Sequence, residues 1–166
     1  MVVSYANSGD AAVGSPDRVV GYGAVAFDGT VKLNKDMLRR IHPTKEEVKQ
    51  GIEKTAAKVA RRVTKLRGTK PLPDLGNRCA ILVDDGLASG FTMRVAVKAL
   101  RSAGVGRIVV AVPTGHRQSV EMIAQEVEKL YCANIRGGLS YAVASAYRHW
   151  SDVAEEDVVN IMEQLR

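Results

Sequence analysis

The sequence predicts an α/β protein built on a parallel sheet, and two observations lead to this class. From residue 78 onward, short continuous apolar runs alternate with stretches whose apolar residues recur every three or four positions. Continuous apolar runs are typical of parallel strands covered on both faces, and strands that alternate with helices favour right-handed crossovers within one sheet. We expect one domain over residues 1–166, with a hairpin and basic-helix segment over 19–77 and a βαβαβ core over 78–135.

The composition excludes several classes of protein. The chain has 166 residues, 46% hydrophobic and 25% charged, which is close to a globular average. No apolar run approaches the roughly 20 residues that span a bilayer, and no secretory signal is visible. Cys79 and Cys132 lie far apart in apolar runs, so we expect buried, reduced thiols. These features predict a cytoplasmic protein without a membrane partner.

The first elements are predicted to include a β-hairpin. Residues 2–6 are predicted to be a short strand, and residues 7–17 are rich in Gly, Ser, Ala and Asp, as loops are. Two further apolar runs, 23–27 and 30–33, flank Asp28-Gly29. An Asp-Gly pair between apolar runs predicts a tight hairpin turn, because both central residues can take positive φ.

The surplus of positive charge belongs to the next segment. The formal net charge is +6, yet residues 39–70 hold 11 basic and 3 acidic residues, which leaves 13 basic and 15 acidic elsewhere. Thr44 and Glu47 have capping-box spacing, and Gly68 with Pro71 marks the end of a helix. The predicted helix buries an apolar stripe formed by Val48, Ile52, Val59, Val63 and Leu66.

The basic face of this helix has two interpretations. It is either a solvated surface or a face that binds the phosphates of a nucleic acid. No aromatic residues interleave with the charges and no nucleic-acid-binding motif is present, so nucleic acid is the less favoured partner. Charge reversal at Arg61 and Arg62 would distinguish the two.

The core elements follow in order. A strand is predicted over 79–83, then a helix that ends at Gly104, then a strand over 107–112 that Pro113 stops, and a third strand over 130–135. Apolar residues at helical spacing mark the helices: Met93, Ala96, Val97 and Leu100 in the first, Val120, Ile123, Val127 and Leu130 in the second, and Val158, Met162 and Leu165 in a last helix capped around Ser151 or Asp152.

The candidate site follows the first core strand, because ligands in open parallel sheets lie beyond the carboxyl ends of the strands. Asp84 and Asp85 leave the strand, and a turn of small residues leads to Thr92. The turn and helix start offer backbone N–H groups and two hydroxyls to an anion, and Gly90 allows close approach. Paired acids suit sugar hydroxyls or magnesium. The pattern predicts a sugar-phosphate site; an ordinary strand–helix turn with Asp capping is the alternative.

The pattern also resembles a known family. An apolar strand, two acids, three linking residues, Ser-Gly-x-Thr and a helix resemble the ribose-phosphate loop of type I phosphoribosyltransferases, and of predicted bacterial and archaeal members in particular. The similarity covers roughly residues 16 to 160 and includes the hairpin at 23–34, the connector at 71–78 and the segment at 141–147. It implies the phosphoribosyltransferase fold, a parallel sheet with a hairpin and helix hood.

The resemblance implies roles for particular residues. Asp84 and Asp85, the catalytic pair, would bind the ribose hydroxyls of phosphoribosyl pyrophosphate, with Mg²⁺ held by the ligand and these carboxylates. His116, Tyr141 and Tyr147 would lie on the side of the acceptor. The implied enzyme is a glycosyltransferase (a pentosyltransferase) in which a nitrogen nucleophile displaces pyrophosphate. The 5-phosphate would be held by Gly86, Leu87, Ala88, Ser89, Gly90, Phe91 and Thr92.

The sequence departs from the family most clearly at the pyrophosphate-binding turn. Family members usually begin with a strand–helix unit whose Pro-Arg-Gly-Gly turn binds pyrophosphate, and this sequence contains no such turn; Arg136-Gly137-Gly138 follows a late strand instead. Two functions therefore stay open: transfer of phosphoribosyl to a nitrogenous base or amine, or a catalytically degenerate module that binds a nucleotide or sugar phosphate. The loss of a sheet-edge strand would expose apolar surface, which predicts a homodimer.

Overall fold

The structure, a computed structural model, describes residues 22–138, 141–151 and 153–164 and the main chain of residues 3–6. Two three-stranded sheets and five α-helices make up this part of the chain. In chain order the elements are β1 (Val3–Ala6), β2 (Gly23–Ala26), β3 (Val31–Leu33), α1 (Lys35–Ile41), α2 (Lys45–Arg67), β4 (Cys79–Val83), α3 (Phe91–Ser102), β5 (Arg107–His116), α4 (Arg117–Ala124), β6 (Lys129–Arg136), a 3₁₀ turn (Val143–Ala146) and α5 (Glu155–Gln164).

The first sheet is antiparallel, with the order β1-β2-β3, and it contains the predicted hairpin. The turn differs from the expected one. The Ala26 carbonyl accepts from the Gly29 N–H at 3.0 Å, and of the turn residues only Gly29 has a positive φ, 83°. Three residues therefore join the strands, a type I turn followed by a left-handed glycine. The Asp28 carboxylate accepts from the N–H and hydroxyl of Thr30 at 2.9 and 2.8 Å, which adds side-chain hydrogen bonds to the turn.

The structure confirms the predicted caps at both ends of helix α2. The Thr44 hydroxyl accepts from the Glu47 N–H at 3.2 Å, the Glu47 carboxylate accepts from the Thr44 N–H at 2.7 Å, and Gly68 follows the last residue. The buried line of the helix consists of Gly51, Thr55 and Val59, whereas the other members of the predicted stripe are half-buried. Small residues on this line allow α2 to lie close to β1 and β2.

The second sheet is parallel, with the order β4-β5-β6, as predicted. Helix α3 lies between the two sheets. Its predicted apolar residues, among them Met93 and Leu100, are buried against the parallel sheet. On its other side, Val95 and Ala99 are fully buried against Ala24 and its neighbours in β2. The core of the molecule therefore surrounds α3.

Several predicted boundaries were wrong. Strand β5 continues through Pro113 to His116: its pairing with β4 ends at Ala111, and its register with β6 omits Pro113 and resumes at Thr114. Helix α4 ends at Ala124, so Val127 and Leu130 lie outside it. Helix α5 begins at Glu155, after the predicted caps, while Asp152 and Leu165 lie outside the described residues. Helix α1, capped by Asn34, was not predicted.

One face of the parallel sheet is open, which contradicts the expectation of strands covered on both faces. Ile81 is 65% exposed, Val83 75% and Tyr131 58%. The strand order follows the chain order, so successive crossovers of the same hand place α3 and α4 on one face. The thiols were also mispredicted: Cys79, at the start of β4, is exposed, and Cys132 is half-buried. No helix among the described residues is long and apolar enough to cross a membrane.

Candidate functional site

The loop after β4 is attached to the neighbouring strand. Asp84 and Asp85 leave the sheet at its carboxyl edge, and Leu87 then pairs with the tip of β5. The Leu87 N–H donates to the Thr114 carbonyl at 3.0 Å, and the His116 N–H donates to the Leu87 carbonyl at 2.8 Å. Leu87 is 2% exposed, so its side chain anchors the loop in the core. The two acids are thereby held at a fixed place on the sheet edge.

Gly86 makes the close packing of this loop possible. A Cβ at this position would lie 2.8 Å from Val143 Cγ1 and 3.0 Å from Thr114 Cγ2. Such distances are shorter than real Cβ contacts, so only glycine fits between the 3₁₀ turn and β5. The glycine after the two acids thus has a packing function in addition to any contact with a ligand.

The second half of the loop is fixed by α4. Gly90 precedes the first residue of α3 with φ of 67°, and a Cβ there would lie 3.1 Å from Met122 Cε. The buried Ser119 hydroxyl donates a hydrogen bond to the Ala88 carbonyl. The Phe91 N–H donates to Ser89 Oγ at 3.3 Å. The turn is therefore held in its conformation by contacts within the protein.

A cavity of about 390 Å³ opens between the tip of β4, the start of α3 and the 3₁₀ turn. Its polar groups come from Asp84, Asp85 and Thr92. The Thr92 Oγ1 atom is buried and has no hydrogen-bond partner among the described residues, which is rare for a buried hydroxyl. Apolar side chains and small residues form the rest of the wall: Leu82, Val83, Gly86, Ala88, Met93, Ala96 and Val143.

Backbone donors are also available on the loop. Within the described part of the chain, no residue accepts from the N–H groups of Ala88, Ser89 or Gly90. These amides precede the first turn of α3, where the positive end of the helix dipole lies. Of these residues Ala88 lines the cavity, as does Thr92 with its unpaired hydroxyl, so unpaired donors and the two carboxylates occur in the same site.

The electrostatics of Asp84 differ from those of an ordinary surface carboxylate. Loss of solvation, followed by repulsion from the Asp85 carboxylate, raises the pKa of Asp84 to about 6 from 3.8. The Asp85 N–H donates to Asp84 Oδ1 at 3.0 Å and offsets part of this rise. A carboxylate whose charged form is disfavoured in this way gains by accepting hydrogen bonds from a ligand.

The three residues that the resemblance assigns to the acceptor side lie at the same sheet edge. The Tyr141 hydroxyl lies 2.9 Å from Thr114 Oγ1, and His116 Nε2 donates to the Gly138 carbonyl at 3.0 Å. The Tyr147 hydroxyl donates to the Asp85 carbonyl at 2.6 Å. Loss of solvation and the negative charge of Asp85 raise the pKa of Tyr147. Tyr141 and Tyr147 thus hold the 141–147 segment against the edge, while His116 holds the chain at Gly138.

Phe91 does not join the other loop residues. Its side chain packs against the cluster of Ala24, Ala26, Val95 and Ala99, on the side of α3 that faces the first sheet. It is absent from the wall of the cavity, so a bulky residue at this position leaves the space beside Thr92 open. Of the seven predicted loop residues, Gly86, Ala88 and Thr92 line the cavity directly.

Sequence reasoning missed two residues that build the site. Val143 closes one side of the cavity from the 3₁₀ turn, and Ser119 holds the loop from α4. Both lie more than 25 residues from the loop in sequence; Val143 belongs to the 141–147 segment of the resemblance without having been singled out, and Ser119 belongs to no local pattern. Their positions depend on how β5, α4 and the 3₁₀ turn meet.

The basic helix is partly neutralised within the molecule. Glu155, the first residue of α5, accepts from Arg62 Nε at 2.8 Å and from Arg61 Nη2 at 3.1 Å, and Lys65 Nζ lies 3.8 Å away. These ion pairs connect α5 with α2. Three of the charges proposed for a nucleic-acid interface therefore have a partner inside the chain.

The described residues contain no group of three or more His, Cys, Asp or Glu side chains that could hold a metal ion. Mg²⁺ does not need one, because it is often bound through one or two carboxylates together with substrate phosphates. Asp84 and Asp85 supply suitable oxygen atoms at the mouth of the cavity.

The fold, the acid pair and the helix start define a protein of the phosphoribosyltransferase class. The family model described as phosphoribosyl transferase domain matches residues 31–146, and the chain belongs to this family. The crystal structure of TT1426 from Thermus thermophilus is similar, with a TM-score of 0.65 and 25% sequence identity, over 98% of this chain and 73% of that chain.

Two curated relatives come from Mycobacterium tuberculosis. "Putative phosphoribosyl transferase MT0597" of strain CDC 1551 and "Putative phosphoribosyl transferase Rv0571c" of strain H37Rv are each 28% identical to this chain over 145 residues. The matched region covers 87% of this chain and 32% of each relative. The chain thus spans about a third of the length of these relatives.

Proposed function

We propose that this chain binds phosphoribosyl pyrophosphate with Mg²⁺ and transfers its phosphoribosyl group to a nitrogenous base or amine. The observation that carries the proposal is the unpaired, buried Thr92 hydroxyl in the cavity that Asp84 and Asp85 share. Membership of the phosphoribosyl transferase family supports the same conclusion. A sugar phosphate offers both kinds of partner that this cavity lacks: hydroxyl donors for the acids and phosphate acceptors for the unpaired donors.

In this proposal the two sides of the cavity bind different parts of the substrate. Asp84 and Asp85 accept hydrogen bonds from the 2- and 3-hydroxyls of the ribose. The 5-phosphate accepts from the N–H groups of residues 88–90 and from the Thr92 hydroxyl. The ribose is thereby oriented with C1 directed toward the 141–147 segment, where an acceptor would enter.

Mg²⁺, when bound, would neutralise the pyrophosphate as it leaves. The carboxylates of Asp84 and Asp85 fit this ion, since Mg²⁺ prefers oxygen ligands and retains substrate and water ligands in its shell. The chain's own contribution is to keep both carboxylates at the sheet edge, through the pairing of Leu87 with β5.

The transfer step exchanges one bond at C1 for another. The bond from C1 to the pyrophosphate oxygen breaks with its electron pair on pyrophosphate, and the lone pair of the acceptor nitrogen forms the new bond. A proton then leaves that nitrogen for the solvent. Positive charge develops on the ribose ring, so carboxylates beside it stabilise the transition state. Holding the acceptor nitrogen in line with C1 and the leaving oxygen lowers the activation free energy further.

The second candidate is a module that binds a nucleotide or sugar phosphate without chemistry. Two observations favour it. Among the described residues, no Lys or Arg lines the cavity. The sequence also contains no Pro-Arg-Gly-Gly turn. Such a module would keep the phosphate donors and the acid pair while lacking a cationic site for pyrophosphate.

Release of pyrophosphate from phosphoribosyl pyrophosphate tests the proposal. The reaction would contain Mg²⁺ and, in turn, purine, pyrimidine and other amine acceptors. We expect turnover with at least one acceptor and its loss in the Asp84→Asn/Asp85→Asn variant. Asp157→Asn, at an exposed position in the first turn of α5, is the matched control and should behave as wild type. Substrate binding without turnover on any acceptor would favour the second candidate.

We further propose that the chain forms a homodimer through the open face of the parallel sheet. Ile81 and Val83 of β4 and Tyr131 of β6 expose large apolar side chains on the two strands that flank β5, a feature that usually marks an interaction surface. Light scattering at micromolar concentration should give the mass of two chains, and an Ile81→Asp/Val83→Asp variant should give the mass of one. A wild-type monomer would contradict this proposal.

A further inference from the structure

A second cavity lies at the opposite end of α3 from the candidate active site. Its volume is about 610 Å³, within the range of small-molecule pockets. Leu66 of α2, Leu100 of α3 and Met162 of α5 each contribute to its wall. Leu100 lies eight residues beyond Thr92 on α3, which places it about 12 Å along the helix axis at 1.5 Å per residue. None of the residues that line the first cavity lines this one.

The wall is apolar apart from two cations. Arg67, the last residue of α2, and Lys70 are the charged residues on it. The Nε atom of Arg67 is buried and has no hydrogen-bond partner among the described residues. Within the same described ranges, no carboxylate forms an ion pair with Arg67 or Lys70.

Arg67 differs from three neighbouring cations of α2, which have an acidic partner, and its unpaired Nε is buried. Arg61, Arg62 and Lys65 all face Glu155, before Arg67 on the same helix. A buried N–H without an acceptor is destabilising, and the few that persist in folded proteins have a specific cause. Here the unpaired donor belongs to a positive group on the wall of an apolar space of ligand size.

We propose that this cavity binds a small apolar ligand that carries one carboxylate. The carboxylate would accept from Arg67 Nε in a charge-assisted hydrogen bond, with Lys70 supplying a second positive charge. The apolar body would lie among Leu66, Leu100 and Met162. A neutral apolar molecule would fill the same space and leave the Arg67 N–H unpaired, so the cavity should select the anion.

Octanoate is a suitable probe, because it combines one carboxylate with an apolar chain. Calorimetric titration of the full chain should show saturable binding of one octanoate per chain. Octan-1-ol, which has the same chain length without the charge, should bind about tenfold more weakly or worse. Asp84→Asn/Asp85→Asn should leave octanoate binding unchanged, which separates this site from the proposed active site.

Arg67→Met tests the anchoring group. It should weaken octanoate binding about tenfold or more while the ligand-free protein melts at the wild-type temperature or above, since the variant removes an unpaired buried donor. Arg40→Met, at an exposed arginine of α1, is the matched control and should bind as wild type. Absence of octanoate binding to the wild type, or equal affinity of Arg67→Met, would overturn the proposal.

A second variant covers the case in which Arg67→Met fails to fold. Leu72 lies at the wall of the cavity and is 39% exposed, so a polar side chain is tolerated there. Leu72→Glu places a carboxylate beside the two cations and should compete with octanoate, lowering its affinity about tenfold. Unchanged affinity in a folded Leu72→Glu protein would also overturn the proposal.

Discussion

The Tyr147 hydroxyl donates a 2.6 Å hydrogen bond to the main-chain carbonyl of Asp85, a residue 62 positions earlier in the sequence. The Tyr147 ring makes an edge contact with Trp150 at 5.2 Å between centroids, which supports its orientation. The bond joins the segment proposed to meet the acceptor to the acid pair proposed to bind the ribose.

Removal of this hydroxyl should affect acceptor binding more than the sugar site. In Tyr147→Phe we expect the KM for the acceptor to rise about three- to tenfold, because the 141–147 segment loses its link to the acid pair, with little change in the KM for phosphoribosyl pyrophosphate. Steady-state kinetics with each substrate varied in turn measures the difference. Tyr131→Phe, on the open sheet face, is the matched control. Equal effects on both KM values would contradict the assigned position.

Gly86→Ala should destabilise the protein. The added Cβ would lie 2.8 Å from Val143 Cγ1, and overpacking of this kind costs about 1–3 kcal/mol. Urea denaturation followed by circular dichroism measures the loss. Gly137→Ala is the matched control, since a Cβ there meets nothing within 4 Å and its φ is not positive.

The partner of this clash can be identified by a second substitution. If Val143 is the obstacle, Gly86→Ala/Val143→Ala should be more stable than the sum of the two single changes predicts. Strict additivity in the double-mutant cycle would show that the cost of Gly86→Ala arises elsewhere.

The raised pKa of Asp84 predicts a specific pH dependence of stability. Its folded pKa is about 6 against an ordinary 3.8, so between these values the folded state holds more protons on this group than the unfolded state. Stability contributed by Asp84 therefore falls as the pH rises through this window. Asp84→Asn removes this effect. The melting temperature of the variant should therefore rise relative to that of the wild type as the pH increases. Melting curves without Mg²⁺ at several pH values measure it; parallel pH profiles would contradict the raised pKa.

Glu155 should stabilise the docking of α5 in a salt-dependent way. Its hydrogen bonds with Arg62 and Arg61 lower its pKa below the ordinary 4.5, so its contribution is present at neutral pH and is lost as the pH falls through the lowered value. Glu155→Gln should lower the melting temperature by a few degrees at low salt and by less near 1 M NaCl, where the Debye length is about 3 Å. Glu156→Gln, at its exposed neighbour, should show neither effect. A loss that persists at high salt would point to packing instead.

Some features that depend only on neighbours in sequence were predicted correctly, although the type of turn at Asp28-Gly29 was not. The capping box of α2 needs only Thr44 and Glu47, three residues apart, and both of its hydrogen bonds are present. The strand–acid–turn–helix order around Asp84 and Thr92 is also local, so the candidate site could be proposed from the sequence.

Features that depend on the order of strands could not be predicted in this way. The apolar run of β4 is compatible with burial on both faces, and only the sheet order shows that Ile81 and Val83 lie on an open face. The contacts of Val143 with the loop likewise depend on how the 3₁₀ turn meets β5. The apolar periodicity also predicted too long a helix α4. Val127 and Leu130 continue its helical spacing, but the helix ends at Ala124 and β6 begins at Lys129.

Calorimetric titration of phosphoribosyl pyrophosphate with Mg²⁺ into Thr92→Val tests the central claim most directly. The variant keeps the shape of the side chain and removes a buried hydroxyl that has no partner within the described residues. We predict binding of one ligand per chain to the wild type, about tenfold weaker binding to Thr92→Val, and wild-type binding to Thr69→Val at an exposed position. Absence of binding to the wild type, or equal affinity of folded Thr92→Val, would contradict the claim that this cavity holds the sugar phosphate.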